Sequence, residues 1–188
     1  MKSTSRSLYW HFKNLYTPSE IKSLNKNLLN NVSSLKDIAA EQVIKTADVK
    51  IIKAKAVPKL NRIFEAVHSA NRQNFGFNLY SSITDRQTVV NYNVYSAKSK
   101  GEYAYHTDAD YYNPVRDIKL TAIFNLSTQP YEGGKFYLNP FGQEIPVPEI
   151  NDYGALIIFP AWFLHKVTPV TKGKRISLSW WGEGPKFI

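Results

Sequence analysis

His106 and Asp108 are separated by one residue in Tyr105-His106-Thr107-Asp108. On an extended segment, side chains two apart project to the same side. An imidazole nitrogen and a carboxylate oxygen would then meet at one point. A third ligand from elsewhere would complete a two-histidine, one-carboxylate face on a metal. Such a face leaves coordination positions open, as in non-haem Fe(II) centres that use dioxygen. His165 is the candidate third ligand. It follows an apolar run from Gly154 that Pro160 stops, so it begins the next element.

Arg175-Ile176-Ser177-Leu178-Ser179-Trp180-Trp181 alternates cleanly. Arg175, Ser177, Ser179 and Trp181 would face one way, and Ile176, Leu178 and Trp180 the other. An arginine on an inward strand face needs an anion, and a guanidinium grips a carboxylate with two parallel hydrogen bonds. Ser177 could add a third. Pro169 and Gly173 lie between His165 and Arg175, so the chain is expected to fold back there as a hairpin and bring Arg175 into the cavity of His165.

The elements that must hold these residues follow from pattern. Thr17-Pro18-Ser19-Glu20 combines an N-cap, a proline at the first helical position and a capping-box glutamate. Ile21, Leu24 and Leu28 then recur at helical spacing. Residues 30–40 are polar and ambiguous, and Val49 to Val57 reads as extended. Pro58 opens a second helix with a buried stripe of Leu60, Ile63, Phe64 and Val67, ending near Asn71. From about Phe75 the pattern changes to β-branched and aromatic segments at 88–95, 118–126, 135–138, 154–159 and 175–181. Turn residues separate them, notably Glu132-Gly133-Gly134 and Lys172-Gly173. Short strands at this spacing, with helices confined to the first third, predict an α+β, mainly β fold: a sandwich or barrel with helical support. No repeat or linker divides the chain, so 1–188 is expected to be one domain, with helical support over about 17–72 and a β core over about 75–182.

Composition sets bounds. A chain of 188 residues can bury a substantial core, and a 43% hydrophobic share is globular. No apolar run is long enough to span a bilayer. Met1 to Arg6 is basic, but no sustained apolar segment follows, so no secretory signal is expected. Cysteine is absent, which excludes disulfides and thiolate chemistry and fits a reducing, cytoplasmic setting. The net charge of +9 permits an acidic partner. The densest basic stretch, Lys45, Lys50, Lys53, Lys55, Lys59 and Arg62, is interspersed with apolar residues and is expected to be a solvated face.

Taken jointly, His-x-Asp, a distant histidine and Arg-x-Ser about ten residues later resemble the Fe(II)/2-oxoglutarate-dependent oxygenases, in particular the prolyl 4-hydroxylase-like branch. The resemblance covers about residues 75–182 and implies a double-stranded β-helix (jelly-roll) core. It implies that His106, Asp108 and His165 hold Fe(II), and that Arg175 binds the distal carboxylate of 2-oxoglutarate with Ser177 beside it. It also places Tyr95 against the cosubstrate and Trp181 in the pocket wall. Tyr131-Glu132-Gly133-Gly134-Lys135-Phe136 resembles the family's glycine-pair turn. Some relatives supply a second cosubstrate-contacting tyrosine from the strand that here reads Ile123-Phe124-Asn125. Phe124 cannot donate, so Asn125 or Thr121 would have to substitute. The implied reaction is oxidative decarboxylation of 2-oxoglutarate with O2, giving succinate and CO2 and hydroxylating a substrate carbon. Ascorbate is an admissible reductant.

The implied substrate is a peptide or protein, with prolyl the leading target. A nucleic-acid base or nucleotide oxidase of the same chemistry is the alternative, and a non-catalytic binding module on the same barrel is the third reading. Tyr103, Tyr105, Tyr111 and Tyr112 crowd the metal motif. They could cradle a proline ring or a base, although cross-strand packing explains them equally. Asp110 could share the face of His106 and Asp108, but is expected to be solvated or hydrogen-bonded in its loop. His11 and His68 are expected in packing or surface roles.

Overall fold

The computed structural model describes residues 6–34, 44–81, 88–110 and 112–187. Tyr111 and most of the ambiguous 30–40 stretch lie outside them. In chain order the elements are β1 (Trp10–Phe12), α1 (Pro18–Leu29), β2 (Lys45–Thr46), β3 (Asp48–Lys53), α2 (Asn61–Ala70), β4 (Val89–Ser96), β5 (Glu102–His106) and β6 (Arg116–Asn125). There follow β7 (Glu132–Gly133), β8 (Phe136–Asn139), β9 (Ile145–Pro146), β10 (Leu156–Pro160), β11 (Leu164–Val167), β12 (Val170–Lys172) and β13 (Lys174–Pro185).

Two antiparallel sheets face each other as a jelly roll. The large sheet has the order β1-β10-β6-β13-β4-β3 and the small sheet β2-β5-β11-β8-β9, while β12 and β7 form a separate pair. Both helices support the outer face of the large sheet. Thr17 and Glu20 make the expected capping box at the start of α1, which buries Ile21, Leu24 and Leu28. Helix α2 contributes Ile63, Phe64 and Val67 to the same core. There they meet Phe124, Leu178 and Trp180, with the Phe64 and Trp180 rings 4.9 Å apart. Each such aromatic or aliphatic side chain contributes about 1.5–3 kcal/mol by leaving water. A second core, including Ile123, Phe136, Leu138 and Phe159, fills part of the space between the sheets.

Strand β10 is buried on both faces because it lies within the large sheet under both cores. Its unbroken apolar sequence follows from that position, not from alternation. By contrast, β13 alternates: Leu178 and Trp180 enter the helix-side core, and Arg175 and Ser177 turn toward the gap between the sheets.

Three expectations change. The 49–57 stretch is extended only to Lys53, and Ala54–Ala56 form a 3-10 turn whose Ala54 N–H donates to Thr88 O at 2.9 Å. Alanine and lysine have little strand preference, and Pro58 forces the chain to redirect into α2. The second helix runs past Asn71 into one π turn, Asn71–Phe75, capped by Gly76 at φ 76°. Finally, β11 and β13 do not pair as a hairpin. They lie in opposite sheets, and the intervening chain forms β12 against β7. Gly133, at φ 73°, allows that crossing, since a Cβ there would sit 2.2 Å from Pro169 O.

Candidate active site

His106 and His165 are direct cross-strand partners on β5 and β11. Their rings lie 4.1 Å apart between centroids. Each Nδ1 is tied to the carbonyl two residues back, His106 to Ala104 O at 2.8 Å and His165 to Phe163 O at 2.9 Å. A backbone carbonyl only accepts, so each Nδ1 carries the proton and each Nε2 presents its lone pair. Between β5 and β11 the register slips, with Val167 opposite Tyr103. That bulge lets the Tyr103 ring stack on His106 at 3.5 Å between centroids.

Asp108 reaches the same point by another route than the extended geometry expected. Strand β5 ends at His106, and Asp108 lies in the loop beyond. Its own N–H donates to Ala161 O at 2.9 Å, and the Thr121 hydroxyl donates to its Oδ2 at 2.7 Å. The carboxylate then stands 3.6 Å from His106 Nε2 and 3.4 Å from His165 Nε2. The three candidate ligand atoms all fall within 4.8 Å of one another. Among the described residues this is the one such group, and Asp110 is not in it.

Burial, with the neighbouring His165, holds the His106 imidazole down to about 4, so it is neutral and able to ligate near pH 7. Burial pushes the Asp108 carboxyl up. The facing imidazoles of His165 and His106 and the Thr121 hydroxyl outweigh it and keep the group well below the usual carboxylate range. Two imidazole Nε2 atoms and an ionised carboxylate are a donor set that fits a divalent cation, and Fe(II) is within its range.

Across the gap, Arg175 is 2% exposed and is the largest fully buried side chain. Its Nη1 donates to Ser177 Oγ at 3.1 Å, and its Cζ lies 5.3 Å from the centre of the Tyr95 ring, its register partner. Among the described residues its Nη2 is buried without a hydrogen-bond partner. An orphaned buried cation is costly, and an incoming carboxylate would satisfy it. Gly134 makes room: a Cβ there would sit 3.0 Å from Arg175 Cδ. Trp181 Nε1 is a second buried donor without a partner among the described residues.

All seven residues singled out in the sequence, His106, Asp108, His165, Arg175, Ser177, Tyr95 and Trp181, line one cavity of about 640 Å³. The expected substitutes for a second tyrosine both hold other partners. Asn125 Nδ2 donates to the carbonyls of Ile150, Asn151 and Asp152, while its Oδ1 accepts from Ser127 N–H. It fastens a loop. Thr121 is committed to Asp108.

Three surroundings went unread in the sequence. Lys45, expected on a solvated face, is 8% exposed and lines the cavity, its Nζ 4.9 Å from the Tyr103 ring centre. It sits on a two-residue strand too short for periodicity to register. Thr121 supports Asp108 from another strand, a relation that only tertiary pairing creates, and Tyr103 stacks on His106 within β5. Of the remaining tyrosines, Tyr105 points its hydroxyl to Glu144 with Lys166 over its ring, and Tyr112 is 97% exposed. His11 is exposed on edge strand β1 and not packed, while His68 is half-buried.

A family model described as the 2OG-Fe(II) oxygenase superfamily matches residues 90–183, half of the chain. The chain belongs to that superfamily. Its sequence is 34% identical over 87 residues to a PKHD-type hydroxylase of Alteromonas mediterranea and 33% identical over 93 residues to one of Nitrosomonas eutropha. These matches cover 42% and 46% of this chain, but only 37% and 39% of those relatives. The fold is similar to a Pseudomonas putida prolyl-4-hydroxylase, with TM-score 0.69, 17% identity and coverage of 95% of this chain and 94% of that one. It is also similar to the viral collagen prolyl hydroxylase of Paramecium Bursaria Chlorella virus-1, with TM-score 0.66, 14% identity and coverage of 95% and 97%. Both likenesses are of the fold. Among the described residues no helix is long and apolar enough to cross a membrane.

Proposed function

We propose that this oxygenase hydroxylates a C–H bond in a peptide or protein, at prolyl first, and releases succinate and CO2. The observation that carries the reading is a three-ligand cluster held by the small sheet, facing across one cavity an Arg175 guanidinium of the large sheet whose Nη2 is unpaired. With Fe(II), 2-oxoglutarate and dioxygen bound, the site would supply oxidative decarboxylation coupled to C–H hydroxylation.

The chain's own residues do the positioning. His106, Asp108 and His165 would hold the metal on one side and leave the side toward the cavity open. Arg175 and Ser177 would anchor the distal carboxylate, with Tyr95 beneath it and Trp181 lining the wall. Thr121 keeps the Asp108 carboxylate ionised and oriented. Phe136 and Phe159, packed against His165 at 5.7 and 4.9 Å between ring centroids, exclude water from the back of the cluster. The peptide reading draws on the Trichoplax adhaerens prolyl hydroxylase in complex with a peptide fragment, which the fold matches with TM-score 0.63. Ascorbate would act as a reductant for the metal, and a cytoplasmic setting fits the absence of cysteine.

The test is to incubate the protein with Fe(II), 2-oxoglutarate and either a cellular peptide pool or a nucleotide and oligonucleotide pool. Succinate release with one added oxygen on peptides is the expected result, and His106→Ala abolishes it. Oxygen gained only by nucleotides would replace the peptide substrate with a base, and no dependence on Fe(II) or 2-oxoglutarate would contradict the enzymatic reading altogether.

A further inference from the structure

A second cavity, of about 560 Å³, adjoins the metal cavity and shares Ala109, Asp110 and Ile118 with it. Its far walls are aromatic. Trp162 and Phe187 meet edge to face at 5.5 Å between centroids, and Phe187 is 58% exposed. The tail that carries Phe187 is fastened down. Phe187 N–H donates to Asp117 Oδ2 at 2.7 Å, Lys186 Nζ donates to Asn113 O at 2.7 Å, and Lys119 Nζ sits 3.0 Å over the Phe187 ring centre.

The charges of this second cavity are unevenly paired, with both lysines on one of its two carboxylates. Asp117 is matched by Lys119 at 3.2 Å and Lys186 at 3.4 Å. Among the described residues no such cation stands at Asp110. Its Oδ1 accepts only the Tyr112 N–H at 3.2 Å, and it stands exposed where the two cavities join. In a chain of net charge +9, this is a carboxylate left free beside flat aromatic walls. Planar cations stack on aromatic faces and pair bidentately with carboxylates.

Building on the peptide-hydroxylase reading, we propose that this cavity is a substrate subsite for a basic side chain, arginine best, flanking the residue to be oxidised. The stem lies along Trp162 and Phe187, and the head group reaches Asp110. The two cavities lie side by side against Ala109, Asp110 and Ile118, close enough for one extended peptide to reach both. A basic neighbour would thus be read at a fixed distance from the reacting carbon.

Two measurements test this together. In the first, N-acetyl-L-arginine methylamide is titrated into the metal-loaded protein while the Trp162 indole N–H signal is followed, assigned by its loss in Trp162→Phe. The signal is expected to move and saturate, with binding about five-fold weaker in Asp110→Asn, the scale of one part-exposed charged contact, and no shift with the glutamate analogue. A Trp162 signal that stays still, or equal binding by Asp110→Asn, overturns the subsite. In the second, a pool of peptides randomised around a central proline is incubated with Fe(II) and 2-oxoglutarate, and the oxidised members are sequenced. Arginine or lysine is expected to be enriched about five-fold at one fixed position, and Asp110→Lys to turn that preference toward acidic residues. Oxidation with no basic preference, or with a preference that Asp110→Lys leaves alone, overturns the subsite while the hydroxylase reading stands. A pool that gains no oxygen while the arginine amide still moves Trp162 contradicts prolyl as the target and keeps the cavity as a site for a basic group. Asp110 lies outside the strands, and matching thermal unfolding of its variants checks that the fold is kept.

Discussion

Thr121, on a central strand of the large sheet, donates its hydroxyl to Asp108 Oδ2 at 2.7 Å. One hydrogen bond thus ties the carboxylate, which hangs off the small sheet, to the sheet that carries Arg175. Thr121 is 1% exposed, so valine can replace it with similar shape and no donor. Thr121→Val is predicted to lose about 10- to 100-fold in metal affinity, the usual cost of removing an outer partner of a ligand. Anaerobic Fe(II) titration checks it, and an unchanged affinity would show that the hydroxyl does not orient the ligand.

Gly134 sits at φ +57° against Arg175 Cδ and Val170 Cγ2, each 3.0 Å from a Cβ placed there. Gly134→Ala is predicted to destabilise the fold by about 1–2 kcal/mol through left-handed backbone strain. It should also displace the guanidinium and weaken 2-oxoglutarate binding several-fold. Urea unfolding and a binding titration read the two effects separately. Weakened stability with normal 2-oxoglutarate binding would mean that Arg175 is not held by this contact.

Arg175→Ala is predicted to raise the 2-oxoglutarate requirement by about ten-fold or more, because a charge-assisted pair in a buried site is lost. Arg175→Lys should recover only part, since a point charge replaces a planar fork. The concentration of 2-oxoglutarate giving half-maximal succinate release is the readout. Equal values for all three proteins would move the anion site elsewhere.

The link between α1 and α2 predicts a pH effect. Arg62 Nη2, 3.0 Å from Glu20, and the Thr17 backbone N–H hold the Glu20 carboxyl down to about 2 from its ordinary 4.5. A depressed carboxylate stabilises the fold above its unfolded pKa, and that contribution fades as pH falls through the folded one. Glu20→Gln is therefore predicted to cost stability near pH 6, with the difference from wild type shrinking between about pH 4.5 and pH 2. Thermal unfolding across that range checks the sign. A gap that widens on acidification would contradict it.

Side-chain types carried much of the site in the sequence, and chain routes did not. His-x-Asp, His165 and Arg-x-Ser named residues that the fold brings to one cavity, because ionisable side chains are costly to bury without a partner. Asp108, however, does not ride on a strand with His106; Thr121 and Ala161 hold it, and neither contact has a local signature. The short strands β1, β2, β7, β9 and β12 have two or three residues each, so no periodicity could announce them. They exist because longer neighbours offer open edges. The capping box at Thr17 was legible because its hydrogen bonds span only three residues. Lys45 and Thr121 acquired their places from pairings more than ten residues away.

A crystal structure grown anaerobically with Mn(II) in place of Fe(II), and with 2-oxoglutarate, tests the central claim most directly. Anomalous scattering is predicted to place one cation about 2.0–2.2 Å from His106 Nε2, His165 Nε2 and an Asp108 oxygen, with the distal carboxylate of 2-oxoglutarate on Arg175 Nη2 and Ser177. A cation bound away from these three residues, or a carboxylate that leaves Arg175 Nη2 unpaired, would contradict it.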